Sequence, residues 1–524
     1  MRLIRATRLG LIRPRYGPFI SGSFQTSESG SKEEITVRNP ATGQTLCTVT
    51  SASPSDVRAA IHSAHSAYRE GYWSKIPVTV RSSVLSNLAR MLEERIPDFA
   101  KVESMQTGRC IKEMNAQLGR LPEWLDYYAA LLKTRQDFVA PTQGKLLNYV
   151  QRVPLGVVAQ ITPFNHPLLI ALKKIAPALA AGNSVIVKPS ELAPITVLEF
   201  AELAVSAGVP PDVIQVLPGS GQYTGRPIAS NPLVRKVDIT AGTATGRALG
   251  QVVGSNLAAY TAELGGKAPI VVFDDADLES AVNGAAFASF VASGQTCVSG
   301  TRLIVQAGIY EEFMEKFMAK VESIRRRMGD PINPASTMGT VISESHLHRI
   351  EKMVEGRPTT ARILAGGNRL TGTSSLDGFD FSGGFFYPPT VIEGVETHDE
   401  LWREEIFGPV VVVKKFADEP EGLFLANASK YGLGAGLWTQ DIGRAHRLAA
   451  EIEAGLVWIN THHRNDPSSP WGGMKESGIG RENGIEALES YSQSKSTIVN
   501  IASVEETRAA QDWFAEDVEG ARYG

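Results

Sequence analysis

Regular patterning begins at Ser53. Ser55 and Asp56 can cap the run VRAAIHSAHSAYREG, and RSSVLSNLARMLEERIPDFAKVESMQTG repeats apolar residues at three- and four-residue steps, so both predict amphipathic helices. LPEWLDYYAALLK follows with the same period. From residue 157 the pattern changes. Short runs rich in Val and Ile (VVAQIT, SVIVKPS, VIQVLPG, VRKVDIT) alternate with helical stretches (PLLIALKKIAPALAAG, ITVLEFAELAVSAG, QYTGRPIAS, TATGRALGQVVG). Such alternation implies right-handed crossovers and a mostly parallel sheet. A second alternating stretch starts near residue 268 with PIVVF, AVNGAAFASFVAS and TRLIVQ, and resumes with PVVVVKKF, GLGAGLWT and GLVWIN. The expected fold class is therefore α/β, with two α/β lobes and a cleft between them. Residues 371–389 (TGTSSLDGFDFSGGFFYPP) read as an ordered surface loop, and no internal repeat is visible.

Length and charge narrow the class further. The 524 residues suffice for two to four folding units. A content of 43% hydrophobic and 21% charged residues excludes a disordered or collagenous chain. The net charge of −4 equals that of residues 502–524, which hold six acids and two arginines, so the remainder is neutral. Nothing calls for nucleic acid or an acidic membrane as partner. Cys47, Cys110 and Cys297 are too few for a disulfide framework and lack zinc-site spacing; no metal is expected, and a reducing compartment is. No run reaches the roughly 18 apolar residues that span a bilayer. Arg2, Arg5, Arg8, Arg13 and Arg15 precede the first acid, Glu28, a bias found in mitochondrial presequences. The segment is short and Ser-poor, so a frayed basic terminus on a cytoplasmic protein is preferred, with a mitochondrial location as the alternative.

Three residues stand out chemically. Cys297 sits in SGQTCVSGTR, where small residues let backbone and substrate approach a thiol. Glu263 stands in TAELGGKAP, followed by two glycines that permit unusual backbone geometry, and Asn165 lies in ITPFNHP between a predicted strand and helix, where ligands gather in open α/β sheets. Taken singly these are an ordinary buried thiol, a turn acid and a helix cap.

Together, in that order, they resemble the NAD(P)-dependent aldehyde dehydrogenase superfamily. The resemblance continues in KPSELAP around Lys188 and Glu191, EEIFGPV around Glu405 and Phe407, and PWGGMKESGIGRENG at 470–484, and covers nearly the whole chain. It implies a Rossmann-like cofactor domain (16–135 and 155–263), a second α/β catalytic domain (264–470) and a small β oligomerisation arm (136–154 and 487–502), with terminal extensions at 1–15 and 503–524. Cys297 would attack the aldehyde to form a thiohemiacetal. The Asn165 amide and the Cys297 N–H would hold the oxyanion, at about 3–4 kcal/mol for one such donor. Once hydride has left, Glu263 would be the general base for hydrolysis of the thioester.

The resemblance implies NAD as cofactor. Lys188 and Glu191 can both face an adenosine ribose, and a Glu there repels a 2′-phosphate, which favours NAD over NADP. Thr162 and Pro163 belong to the same wall. The pyrophosphate turn is expected in ITAGTATGR, with Gly242, Thr243 and Gly246 at a helix N-terminus. Ala241 replaces the first Gly usual in relatives, which puts that geometry in doubt. PGSGQYTG, with GxGxxxG spacing, is set aside as structural. Glu405 and Phe407 match positions that hold the nicotinamide ribose and pack beside its ring.

For the substrate pocket the resemblance points to Lys173, where many relatives have Trp, and to His166, His463, Arg464 and Trp471. If Lys173, His463 or Arg464 points inward, the aldehyde is expected to be polar, aromatic or carboxylate-bearing; solvated surface residues are the alternative. Trp124 and Tyr127, three apart on one helix, form either the opposite tunnel wall or core. The partner is thus a small-molecule aldehyde. KLLNYVQRV and KSTIVNIA fit neither lobe, and in the family such an arm pairs with a neighbouring subunit, giving a homodimer or homotetramer. The competing reading is a non-catalytic binding or structural protein that retains the fold.

Overall fold

The computed structural model describes residues 12–25, 33–510, 514 and 516. Arg2, Arg5 and Arg8 and most of the acidic tail lie outside the described residues. Arg13 and Arg15, by contrast, are built into the fold: Arg13 pairs with Glu199 at 3.1 Å and Glu202 at 2.5 Å, and Arg15 pairs with Glu34.

The first alternating stretch folds as read. Strands Val157–Ile161, Ser184–Lys188, Ile214–Val216, Val234–Thr240 and Ala259–Glu263 run parallel in one sheet, in the order 259, 234, 157, 184, 214. Antiparallel partners close its two ends, Gly478–Ile479 beside Ala259–Glu263 and Phe19–Ile20 beside Ile214–Val216. The central strands are buried along almost their whole length because helices cover both faces, hence their continuous Val/Ile runs. Helix Pro167–Ala181 is buried at every position, which explains why its sequence is apolar all round except for two lysines. One expected helix differs: QYTGRPIAS becomes a π-helical turn, Gly221–Gly225, and a single α turn, Arg226–Ala229, because the two glycines and Pro227 leave too few helix-forming residues.

The second stretch forms a seven-stranded sheet. Its order by first residue is 362, 390, 410, 302, 269, 434, 456, parallel except at the 362 edge. A third, antiparallel sheet joins Ser492–Asn500, Leu146–Pro154 and Phe138–Ala140. Phe138, Val139 and Ile498 on it are each more than 60% exposed. No helix among the described residues is long and apolar enough to cross a membrane.

Candidate active site

The carboxyl ends of Val157–Ile161, Ser184–Lys188 and Val234–Thr240 open onto a cleft of about 720 Å³, whose far wall comes from the other lobe through Cys297, His346, Arg349, Glu405 and Phe407. This is where the strand order of an open α/β sheet places a ligand. Asn165, Thr162 and Pro163 line the same cleft.

Cys297 follows a left-handed turn in which Ala292, Ser293 and Gly294 all have φ between 54° and 68°. Two non-glycine residues in that region store strain that the surroundings must hold. Gln295 supplies part of the hold: its side chain accepts from Ile342 N at 2.9 Å and donates to Thr340 O at 3.1 Å, and its carbonyl accepts from Asn165 Nδ2 at 2.9 Å. Asn165 is thereby fixed with one amide hydrogen committed, and its second N–H remains to face the cleft. Cys297 is half-buried, whereas Cys47 and Cys110 are buried. Burial pushes its thiol up to about 12, with Glu405 and Glu263 adding to the rise and Lys173 opposing it. Burial raises all three thiols, so Cys297 is distinguished from the other cysteines by access rather than by acidity.

Glu263 ends its strand with both carboxylate oxygens buried and without a hydrogen-bond partner among the described residues. Burial pushes it well above the usual carboxylate range, and Glu482 adds to the rise. The glycines after it have ordinary φ and serve close approach instead. A Cβ on Gly266 would fall 2.1 Å from the Cys297 carbonyl oxygen, and one on Gly265 would fall 2.8 Å from Glu405 Oε2. Absent side chains thus let the segment that follows Glu263 lie against Cys297 and Glu405.

Beneath them lies a charged network. Lys174 Nζ pairs with Asp238 at 2.5 Å and with Glu482, and Lys173 Nζ pairs with the other Glu482 oxygen at 2.8 Å. Burial alone would raise Glu482, but the two ammonium groups outweigh it and hold the carboxyl down at about 2. Asp238 also accepts from Tyr491 OH at 2.6 Å. Sequence reading found only Lys173 of this network, although two lysines inside an otherwise apolar helix were a signal for it.

On the cofactor side, Lys188 and Glu191 line the cleft 3.4 Å apart. Gly242 caps helix Thr243–Ser255 without a side-chain hydrogen bond, and a Cβ there would meet nothing within 4 Å, so the first backbone N–H groups stay open to the cleft. The hydroxyls of Thr162 and Thr240 are buried without partners among the described residues. An uncapped helix start, unpaired hydroxyls and a carboxylate at the rim fit a dinucleotide. Ala241 lines the cleft, its N–H donates to Glu263 O at 3.1 Å, and it packs against the hydrophobic cluster containing Ile239 and Leu249. Gly246 answers to packing, since a Cβ would fall 2.3 Å from Leu264 Cδ2, and Thr245 rather than Thr243 lines the cleft. The segment set aside as structural needs correcting, because Ser220, Gly221, Gln222 and Gly225 form part of the cleft wall. Glu405 accepts from Gly266 N at 2.9 Å and is pushed up to about 7, chiefly by burial. Phe407 sits at φ 58°, with its carbonyl accepting from His346 Nε2 at 2.6 Å. His346 and Arg349 were missed, for nothing in ESHLHRIEKM distinguishes a cleft-lining helix from a surface one.

Trp471, Arg464 and Arg120 line a second cavity of about 500 Å³. His463 lies 6.1 Å by ring centroids from both His166 and Trp471, and burial pushes it down to about 3. His166 Nδ1 accepts from the buried Arg109 at 2.7 Å, so Nε2 carries the proton, and it has no partner among the described residues. Two expectations change. Lys173 is already paired with Glu482, so its charge is not free for a substrate carboxylate. Trp124 is core, 2% exposed, with its indole donating to Asn483 at 2.9 Å; Tyr127 packs against the same core. Arg464 is exposed at the rim of the second cavity.

Residues 25–497 match the model of the aldehyde dehydrogenase family. Among solved structures, betaine aldehyde dehydrogenase from Staphylococcus aureus in complex with NAD+ is 34% identical, with 96% of this chain and 97% of that one covered and a TM-score of 0.89. The NAD-dependent aldehyde dehydrogenase from Sinorhizobium meliloti is 33% identical, with 98% of each chain covered and a TM-score of 0.90. P. syringae AldA, an indole-3-acetaldehyde dehydrogenase solved with NAD+ and IAA, is 33% identical, with 92% and 96% covered and a TM-score of 0.88. With the cleft, its thiol and its buried carboxylate, these likenesses place the chain in the aldehyde dehydrogenase family.

Proposed function

We propose that the protein oxidises an aldehyde to its carboxylic acid with NAD, using Cys297 as nucleophile, Asn165 as oxyanion donor and Glu263 as general base. The observation that carries this reading is an accessible thiol in the cleft with an Asn amide fixed in the same wall, and behind them a buried, unbonded carboxylate near enough to oppose the ionisation of the thiol. Cys297 sulfur bonds to the aldehyde carbon as its proton leaves, and the carbonyl oxygen takes the charge, which the free Asn165 N–H and the Cys297 backbone N–H stabilise. NAD, when bound, would supply the hydride acceptor for that carbon. The remaining thioester is attacked by a water whose proton passes to Glu263; the C–S bond then breaks and the acid departs. Lys188 and Glu191 would hold the adenosine ribose, the uncapped start of Thr243–Ser255 the pyrophosphate, and Glu405 and Phe407 the nicotinamide end.

The aldehyde is a small molecule, and a polar, aromatic or carboxylate-bearing one is proposed. Trp471, His463 and the unpartnered His166 Nε2 support this; Arg109 behind them is paired with Glu113 at 3.0 Å and orients His166. The exposed apolar residues of the third sheet support an arm that pairs with a neighbouring subunit, giving a homodimer or homotetramer. NADH formation against aliphatic, aromatic and carboxylate-bearing aldehydes tests the function. Turnover with NAD should fall by more than about a thousandfold in Cys297→Ala while NAD binding survives. Undiminished turnover in that variant would rule out the thiol mechanism, and NAD binding without turnover of any aldehyde would favour the non-catalytic reading.

A further inference from the structure

Lys174 has an evident task in the buried network, bridging Asp238 and Glu482. Lys173 adds nothing to that bridge. Its Nζ reaches the second oxygen of Glu482 at 2.8 Å and lies 4.4 Å from the Trp471 ring centroid, with the side chain only 3% exposed. Two ammonium groups therefore face two carboxylates, and the four formal charges cancel. Glu263 stands beside this neutral set with neither oxygen bonded: a Cβ on Gly472, the residue after Trp471, would fall 2.9 Å from its Oε1. A buried carboxylate without hydrogen bonds ionises only against nearby positive charge.

The groups that face Glu263 divide by sign. Glu482 and Asp238 oppose its ionisation, while Lys173 and Lys174 favour it. Lys236 Nζ bonds Thr261 at 2.5 Å and lies over the Tyr491 ring, and burial holds its ammonium below the usual range although Asp238 and Glu482 oppose this. Towards the substrate cavity, burial keeps His166 and His463 neutral, with Arg109 behind them. Cys297 has Glu405 on its other flank. With Lys173 removed, Lys174 alone would face Asp238 and Glu482, and the set would be negative before Glu263 lost its proton.

We propose that Lys173 is a positioning residue for the base: its ammonium, fixed between Glu482 and the Trp471 ring, supplies the charge against which the unbonded Glu263 carboxylate ionises. The role rests on Glu263 being the base for thioester hydrolysis. It replaces the expected contact between Lys173 and substrate, and it makes the Trp471 wall and the acid–base network share one residue. The chemical step is unchanged, since the water proton still passes to Glu263.

The test measures NADH formation, in steady state and in the first turnover, across pH for wild type, Lys173→Met, Lys173→Gln, Lys173→Arg and Glu263→Gln. Loss of the charge should move the acid limb of kcat upward by about one pH unit or more and lower kcat near neutral pH roughly tenfold. KM values and the first-turnover burst should be retained, and Lys173→Arg should follow wild type. Lys173→Gln keeps a hydrogen bond to Glu482, so it carries the test if the Met variant does not fold. A wild-type acid limb in the neutral variants, or an equal shift in Lys173→Arg, would overturn the proposal. Glu263→Gln separates the two levels. Arrest after a burst in that variant, with unshifted Lys173 variants, sinks the role of Lys173 alone; wild-type kcat without a burst sinks the base assignment and the proposal with it.

Discussion

Lys188 and Lys174 are both buried lysines of the same lobe, the first lining the cleft and the second not, yet burial has opposite outcomes for them. Lys188 meets a Pro189 carbonyl at 2.8 Å and, at 3.4 Å, a Glu191 side chain that is 44% exposed; burial dominates and its ammonium is held below the usual range. Lys174 is fully buried against Asp238 and Glu482, which are themselves 3% and 4% exposed; there the two carboxylates outweigh burial and hold the proton on. The difference lies in where the partner sits. A carboxylate at the rim shares its field with water, whereas one in the interior directs it to the lysine. The cofactor wall is thereby left with groups free to bind a ligand, and the acid–base wall with groups bound to each other.

The largest break in that comparison comes from Lys174→Met, which takes the ammonium partner from buried Asp238 and leaves Glu482 with Lys173 alone. About 3–5 kcal/mol of stability should be lost, read from the urea midpoint. A loss below about 1 kcal/mol would show that water reaches the network. Next in size is Asn165→Ala, which leaves the network intact but removes a fixed donor. A fall in kcat of about a hundredfold to a thousandfold is expected, with NAD affinity unchanged. Smallest is Glu191→Ala on the solvent-facing wall. A roughly three- to tenfold rise in KM for NAD, with improved use of NADP, is the expected result, since one rim hydrogen bond to a charged group is lost and a repulsion with it. An equal loss for both cofactors would mean that Glu191 does not face the ribose.

Much of this molecule was legible before folding. The strand and helix runs of 157–255 appear within a few residues of where periodicity placed them, because central parallel strands must be apolar on both faces and their helices on one. Cys297, Glu263 and Asn165 stood out by residue type and motif, and one cleft brings Cys297 and Asn165 together with Glu405 and Phe407. The failures have physical causes. The PGSGQYTG turn did not fit a fingerprint, but a wall needs only backbone and small residues, so its spacing was the wrong criterion. Trp124 and Tyr127 shared a helix face with no sign of what faced them. His346, Arg349 and Arg120 enter from remote segments, and no local pattern marks them.

By itself the sequence determined the element types, the order of the two α/β lobes and the chemistry available, because periodicity and residue type are local properties. Tertiary structure decided which charges cancel. Lys173, Lys174, Asp238 and Glu482 come from a helix, a strand and a distant loop, and their ionisation depends on distances and water exclusion that no single segment contains. The same holds for Cys297, whose thiol is set by burial and by Glu405 and Glu263 rather than by its own neighbours in the chain. Electrostatic energy in a low-dielectric interior is a property of the assembled site.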